Sequence, residues 1–218
     1  MQVFKNRVHA GQVLSEKLSE YSGKKEVIIL ALPRGGVPVA FEVSRKLGVE
    51  MDLLLVRKLG VPGNEELAMG AIASDNIKVL NEDIIRSLQI PDKKIDQVTA
   101  SEKKELERRN NIYRANRPIP DLRNRTVILI DDGLATGATM RAAAEAVRTK
   151  EPSQIIVAVP TCSPDAYNSL KDVTDEIICA ISPEPFFGVG RWYEDFRQVS
   201  DKEVCDIMEK VFSSSVNN

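Results

Sequence analysis

Residues 127–140 read VILIDDGLATGATM. The four apolar residues at the start of this stretch predict a buried strand, and residues 140–150 predict a helix. Between them stand two carboxylates, Asp131 and Asp132, and a loop of Gly, Ala and Thr. The N–H groups of such a loop and of a helix N-terminus attract an anion, and paired carboxylates accept hydrogen bonds from neighbouring hydroxyls. The stretch therefore predicts a site for a sugar phosphate.

Apolar runs alternate with helical patterns along the rest of the 218 residues. Runs that are apolar on both faces indicate a parallel sheet covered by helices, so we predict an α/β fold with a doubly wound, mostly parallel sheet. Ligands of such folds bind at the carboxyl ends of the strands, where the loops 33–36, 57–66 and 131–139 fall. The predicted strands are 27–32, 51–56, 67–74, 77–80, 126–130, 154–159 and 176–181, and the predicted helices are 10–21, 37–47, 82–88, 91–117, 140–150, 164–170 and 201–212.

Composition narrows the class of protein. A net charge of −2 gives no reason to expect a nucleic-acid partner. No run approaches about 18 apolar residues, and the first residues lack a signal-peptide core, so we expect a cytoplasmic protein without a membrane span. The three cysteines, Cys162, Cys179 and Cys205, and the single His9 favour reduced thiols over a zinc site or a disulfide framework.

Residues 127–140 resemble the phosphoribosyl pyrophosphate (PRPP) binding signature of the type I phosphoribosyltransferases. The resemblance implies Mg²⁺-dependent transfer of the 5-phosphoribosyl group from PRPP to a nitrogen of a nucleobase-like acceptor, with release of pyrophosphate. Asp131 and Asp132 would hold the ribose hydroxyls and stabilise positive charge at the anomeric carbon. The 5-phosphate would be bound by Ala135, Thr136, Gly137, Ala138 and Thr139. Mg²⁺ would bridge substrate oxygens, so no residue is assigned as a metal ligand.

The segment Leu32-Pro33-Arg34-Gly35-Gly36 is the candidate pyrophosphate loop. Two glycines let the backbone approach a polyanion, and a guanidinium binds phosphate oxygens in a bidentate way. In enzymes of the resembled family this loop often carries a cis peptide bond that does not precede proline. The alternative is a glycine turn with a solvent-facing Arg34.

Arg57 and Lys58 end a predicted strand and enter a Gly- and Pro-containing loop over 58–64. They resemble the Arg-Lys start of the mobile catalytic loop in the adenine branch of the family. Cations there would neutralise the leaving pyrophosphate, and closure of the loop would exclude water. The alternative is a pair of solvated charges.

The tail from Phe186 to Arg197 resembles the base-binding segment of the 6-oxopurine enzymes. Phe187 or Trp192 would form one wall of a nucleobase slot, unless these aromatics are core packing. Those enzymes carry an Asp at the position of Ala135. The adenine and orotate enzymes carry an alanine there, as this chain does. The acceptor therefore stays undetermined.

We predict a core at 1–181 with a helical and hairpin insertion at about 58–120, and a C-terminal hood segment with a terminal helix at 182–218. The charged stretch 102–117 is interpreted as a solvated, salt-bridged helix, with arginines over the active site as the alternative. A homodimer is expected only by analogy. Two other functions stay open: a non-catalytic sensor of PRPP or nucleotides, and a phosphorylase or hydrolase of ribosyl phosphates.

Overall fold

The computed structural model describes residues 3–74, 77–114 and 117–215. In chain order the elements are α1 (Arg7–Lys17), β1 (Val27–Ala31), α2 (Gly36–Leu47), β2 (Glu50–Leu53), β3 (Val56–Val61), β4 (Asn64–Ala73), β5 (Ile77–Leu80), α3 (Glu82–Ser87), α4 (Asp92–Arg114), β6 (Thr126–Ile130), α5 (Ala138–Arg148), β7 (Gln154–Thr161), α6 (Pro164–Leu170), β8 (Glu176–Ile181) and α7 (Asp201–Ser215). Short 3-10 turns lie at Ser19–Tyr21 and Val189–Trp192.

Five parallel strands form the central sheet, in the order β2-β1-β6-β7-β8. The chain moves outward from β1 to β2 and later returns to the other side of β1 at β6. The strand order therefore reverses between β1 and β6, and open α/β sheets bind their ligands outside the strand ends at such a point. This confirms the predicted α/β fold with a parallel sheet.

The two faces of the sheet bury separate cores because alternate residues of each strand point to opposite sides. Ile29 and Ile128 pack on α1, α2 and α7, whereas Ile28 and Val127 pack on α5 and α6. All five residues of β1 are buried. A strand covered on both faces reads as a continuous apolar run, which is why the sequence indicated it clearly.

The predicted loop at 58–64 is wrong. Residues 56–61 form β3, which pairs antiparallel with β4, and β4 pairs with β5 in a separate three-stranded sheet. The turn between β3 and β4 contains Gly63 at φ +86°. The predicted strand 51–56 is likewise too long, because the parallel strand ends at Leu53 before the chain enters β3. The predicted turn at 75–76 lies outside the described residues.

A buried ion pair anchors the insertion to the central sheet. The Arg114 guanidinium, at the end of α4, donates to both carboxylate oxygens of Asp52 in β2 at 2.6 and 2.9 Å. It also donates to the backbone carbonyls of Leu53 and Pro118. The Arg114 side chain has no exposed surface. All these acceptors fix the end of α4 against the sheet edge.

The C-terminal segment is bound to the start of the chain. The Phe4 N–H donates to the Trp192 carbonyl at 2.8 Å, and the Glu194 N–H donates to the Phe4 carbonyl at 2.8 Å. Phe4, Trp192 and Tyr193 form a small apolar cluster. The predicted boundary between core and hood segment stays a prediction, but these contacts place the hood segment beside α1.

Most predicted helices are found with small shifts at their ends. The first begins at Arg7 rather than residue 10, because the Asn6 side chain caps it by accepting from the His9 N–H. The fifth begins at Ala138 rather than Met140, and α4 ends at Arg114. Among the helices in the described part of the chain, none combines the length and apolarity needed to cross a membrane.

Candidate active site

The loops that follow β1 and β6 lie directly against each other at the strand-order reversal. A Cβ atom on Gly35 would lie 1.9 Å from Asp132 Oδ2, and one on Gly36 would lie 2.6 Å from the Ile130 carbonyl oxygen. Only glycine at both positions lets the loop at 33–36, called the Arg34 loop below, lie against the two acids. The Pro33–Arg34 peptide bond is cis, as the family resemblance predicted. The structure thus brings the predicted pyrophosphate loop and the acid pair together.

The two carboxylates of the pair have different surroundings. Asp131 Oδ1 accepts from the Asp132 N–H at 2.8 Å. Asp132 Oδ2 accepts from Arg7 Nε at 2.8 Å and lies 2.8 Å from Arg7 Nη2. The Tyr193 hydroxyl donates to the Asp132 carbonyl at 2.6 Å. Asp131 lines the central cleft, whereas Asp132 is held from the side of α1 and the hood segment.

Burial governs the acidity of both groups. It raises the pKa of the Asp131 carboxyl well above its usual range, and the Asp132 charge raises that pKa further. Burial also raises the pKa of the Asp132 carboxyl, but the Arg7 guanidinium opposes the rise. Arg7 therefore favours the ionised form of Asp132, while Asp131 is the acid that more readily holds a proton.

The predicted 5-phosphate loop opens to solvent at the start of α5. Ala135, Thr136 and Thr139 are exposed, and Gly137 adopts φ +75°. The N-cap residue Gly137 makes no side-chain hydrogen bond to this helix, and the Ala138 N–H donates to Thr136 Oγ1 only at 3.5 Å. The helix N-terminus can therefore still receive an anion. The Ser163 hydroxyl donates to the Ala135 carbonyl at 2.7 Å and fixes the loop from below.

A cleft of about 600 Å³ lies between the acid pair, the β3–β4 hairpin and α4. Arg57 and Lys58 both line it from β3. Their predicted role at pyrophosphate stays a prediction. Arg57 Nε donates to Glu102 Oε2 of α4 at 2.6 Å. The other residues of its lining are Pro33, Val56, Gly60, Val61, Pro62, Glu65, Val98, Ser101, Arg109, Asp131 and Thr139.

The salt bridges expected in the charged helix are found, because Arg108 and Arg109 pair with Glu105, but one face of α4 is not solvated. Glu102 and Arg109 point into the cleft, while Leu106 is buried against the hairpin. The opposite face does carry the expected exposed charges. A helix of 23 residues with a thin apolar stripe covers the site because that stripe packs on β3 and β4.

Arg34 is anchored by the first residue of α7. Its Nη1 lies 3.3 Å from Asp201 Oδ1, and Asp201 also accepts from the Tyr113 hydroxyl. Burial and the Asp201 charge raise the pKa of the Tyr113 hydroxyl to about 12. Arg108 Nη1 lies 3.5 Å from Asp201 Oδ2. Arg34 is therefore part of an ionic cluster that joins the pyrophosphate loop, α4 and α7.

The two predicted base-binding aromatics differ in exposure. Phe187 is 72% exposed, next to Gly188 at φ +119°. Val189, two residues after Phe187, packs closely on Gly133. A Cβ atom added to Gly133 would lie 2.5 Å from Val189 Cγ1. Trp192 is 7% exposed within the cluster of Phe4 and Tyr193. Of the two side chains, Phe187 is the one that presents a ring to solvent.

Sequence reasoning missed the residues that hold the site from outside its loops. Arg7 lies 125 residues from Asp132 along the chain, and Tyr193 lies 61 residues away. No local pattern marks either residue. Asp201 stands at a helix start, where an acidic residue is ordinarily explained by the helix dipole. Only the folded arrangement reveals these contacts.

The chain matches the family model described as "Phosphoribosyl transferase domain" over residues 3–189. A Mycobacterium tuberculosis (strain CDC 1551 / Oshkosh) protein, provisionally named a phosphoribosyl transferase, is 41% identical over 210 residues, which are 96% of this chain and 47% of that protein. The chain thus spans about half the length of this curated relative. The "Bifunctional protein PyrR" of Pediococcus pentosaceus is 31% identical over 140 residues, which are 62% of this chain and 74% of that protein.

Among solved structures, the TT1426 protein from Thermus thermophilus is 40% identical with a TM-score of 0.88, and the match covers 96% of this chain and 99% of that chain. The sequence resemblance, the strand order and the acid pair beneath the glycine loop agree with these matches. The chain belongs to the phosphoribosyl transferase domain family.

Proposed function

We propose that the protein transfers the 5-phosphoribosyl group of PRPP to a nitrogen of a nucleobase-like acceptor and releases pyrophosphate. The observation that carries the proposal is the contact between Gly35–Gly36 and the Asp131–Asp132 pair at the strand-order reversal. Because of that contact, a loop suited to a polyanion lies within reach of two carboxylates suited to a sugar. Membership of the family supports the reaction class, and the site geometry supports the roles given below.

Each part of PRPP has a matching surface. The 5-phosphate lies at the N-terminus of α5, on the backbone of 135–139 and the hydroxyls of Thr136 and Thr139. Asp131 and Asp132 accept hydrogen bonds from the ribose hydroxyls. Pyrophosphate lies between the Arg34 loop and the cations Arg57 and Lys58, whose side chains line the cleft.

The chain acts on the reaction mainly through charge and position. As the bond between the anomeric carbon and pyrophosphate breaks, positive charge develops on the sugar ring and negative charge on the leaving group. The carboxylates stabilise the first charge, and Arg57 and Lys58 stabilise the second. The hairpin and α4 flank the reacting centre and reduce access of water, which would otherwise hydrolyse it. No protein nucleophile is required.

Mg²⁺ fits the chemistry of this cleft. The acidic groups along it, Asp131, Glu65 and Glu102, are oxygen donors, and Mg²⁺ prefers oxygen ligands and substrate phosphates. When bound, the ion neutralises pyrophosphate charge. Asp131, Glu65 and Glu102 are the described acids that would hold the ion in the cleft beside the substrate phosphates.

Phe187 supplies the acceptor side of the proposal. Its exposed ring stands two residues before Val189, which packs on Gly133 next to the acids. A planar base stacked on that ring would lie beside the sugar site. By analogy with the family, we also propose that the protein is cytoplasmic and forms a homodimer.

The test is release of pyrophosphate from PRPP and Mg²⁺ across adenine, hypoxanthine, guanine, xanthine, uracil and orotate. We expect turnover with at least one base, and loss of turnover in Asp131→Asn. Asp165→Asn, which changes an exposed aspartate on α6, serves as the matched control and should behave like the unchanged protein. PRPP binding without turnover on any base would favour the sensor function instead, and absence of PRPP binding would refute both.

A further inference from the structure

Arg7 reaches from the first turn of α1 to an acid that follows β6. Its Nε and Nη2 both lie 2.8 Å from Asp132 Oδ2. The two side chains are only 10% and 15% exposed. The guanidinium donates a hydrogen bond from Nε to this nearly buried oxygen and places a second charged nitrogen, Nη2, equally close to it, so it fixes that oxygen more firmly than a neutral donor does.

The same guanidinium also holds the C-terminal hood segment. Arg7 Nη1 donates to the Arg197 carbonyl at 2.8 Å, and Arg7 Cζ lies 4.1 Å from the centre of the Phe196 ring. The Tyr193 hydroxyl in turn donates to the Asp132 carbonyl. Asp132 is therefore held at its side chain through Arg7 and at its backbone through Tyr193, and both connections lead to residues 193–197.

Stability alone explains this arrangement poorly. A nearly buried ion pair gains little net free energy over an apolar pair of similar volume, because both charges lose their hydration. A fixed orientation of the carboxylate has a clear use, however. Asp132 Oδ2 stands where a Cβ on residue 35 would lie 1.9 Å away. The carboxylate thus lies directly against Gly35, and a carboxylate that is free to rotate there would not offer the same oxygen to a sugar at every moment.

We propose that Arg7 is a positioning residue of the sugar site. It holds Oδ2 of Asp132, so that Oδ1 faces a ribose hydroxyl, and it ties this orientation to the hood segment at 193–197. The inference rests on the proposed function, because it assigns Asp132 to the ribose of PRPP. Arg7 itself touches no reacting atom.

The test compares Arg7→Met and Arg7→Lys with Lys17→Met, which removes an exposed cation from the same helix. The measurements are kcat and KM for PRPP by pyrophosphate release, PRPP affinity by calorimetry, and thermal unfolding. Misplacement of a positioned group by about 1 Å costs on the order of 100-fold. We therefore expect Arg7→Met to lose about 100-fold in kcat/KM for PRPP while Lys17→Met loses nothing.

Arg7→Lys keeps the charge but not the planar guanidinium, so it should recover part of the loss. It also provides a second variant if Arg7→Met does not fold. In the Asp132→Asn background, Arg7→Met should cause little further loss, because its effect passes through Asp132. A merely structural role would instead lower the unfolding temperature and leave kcat/KM of the folded fraction unchanged.

The outcomes separate the two levels of the argument. PRPP binding by the unchanged protein together with unaltered kinetics in both Arg7 variants would overturn the role of Arg7 alone. Multiplying losses in the double variant would overturn it too. Failure of the unchanged protein to bind PRPP would overturn the proposed function, and the role of Arg7 with it.

Discussion

Replacing Gly35 by alanine tests whether the acid pair and the glycine loop serve one substrate. The added methyl carbon would lie 1.9 Å from Asp132 Oδ2 and 2.5 Å from its Cγ. Asp132 cannot yield easily, because Arg7 holds that oxygen at 2.8 Å. The loop or the acid must then move by about 1.5 Å to reach an ordinary contact of 3.4 Å.

A shift of that size at a positioning group costs on the order of 100-fold in rate, which corresponds to about 2.7 kcal/mol of transition-state stabilisation. We expect Gly35→Ala to lose at least this factor in kcat/KM for PRPP, measured by pyrophosphate release. The control is Gly23→Ala, at φ +70° with nothing within 4 Å of the added carbon. That change should cost about 1–2 kcal/mol of folding free energy through backbone strain and leave kcat/KM intact.

The reasoning is refuted if Gly35→Ala folds and keeps kcat/KM within about threefold of the unchanged protein. The loop and the acids would then not hold the same molecule. Comparable losses in Gly35→Ala and Gly23→Ala would also count against it, because they would reflect stability rather than the site. Unfolding in urea on the same samples separates these cases.

Three further changes test the buried Arg114–Asp52 ion pair, the salt bridges of α4 and the proposed acceptor site at Phe187. Arg114→Met leaves the buried Asp52 carboxylate unpaired, so we expect a loss of about 3–5 kcal/mol in urea unfolding, whereas a loss below about 1 kcal/mol would show that the pair is not buried in solution. Hydrogen bonds from Arg108 and Arg109 lower the pKa of Glu105 from 4.5 to about 2. Its stabilisation is therefore full above pH 4.5 and disappears as the pH falls towards 2. Glu105→Gln should flatten the stability curve in that window, and an unchanged curve would contradict the assignment. Phe187→Ala should raise KM for the acceptor severalfold and leave PRPP affinity unchanged in calorimetry; equal effects on both substrates would place the ring elsewhere.

The parts of the fold that the sequence predicted well are those with a local signal. Residues 127–140 combine a continuous apolar strand, small loop residues and a helix, and each was identified within two residues of its observed bounds. The β3–β4 hairpin was missed for a physical reason. Its pairing slips on either side of Gly60, so the alternation of apolar and polar residues that reveals a strand is broken there. Gly60, Pro62 and Gly63 together then resemble a loop.

The candidate site divides along the same line. Its loops could be predicted, because the acids and the glycines lie in short motifs at strand ends. The two cations are adjacent in sequence but lie within β3. The partners of these groups could not be predicted, because Arg7, Glu102 and Asp201 come from helices far away in the chain. A contact between Arg7 and Asp132 depends on how α1 packs on the sheet, and no periodicity specifies which polar atoms meet after packing.

Arg7, Glu102 and Asp201 each contact one charged side chain that, in the proposed function, binds the substrate. Arg7 lies 2.8 Å from Asp132, Glu102 lies 2.6 Å from Arg57, and Asp201 lies 3.3 Å from Arg34. The last two are acids on cations, so bound pyrophosphate must compete with Glu102 and Asp201 for the same guanidinium groups. Because a carboxylate is exchanged for pyrophosphate, each guanidinium keeps an anionic partner, and the free-energy cost of leaving a desolvated charge unpaired is avoided. The first pair has no such competitor, since ribose hydroxyls carry no charge. Arg7 can therefore stay on Asp132 through the whole reaction. Glu102 of α4 must instead release Arg57, and Asp201 of α7 must release Arg34. We therefore expect movement on substrate binding in α4 and at the start of α7.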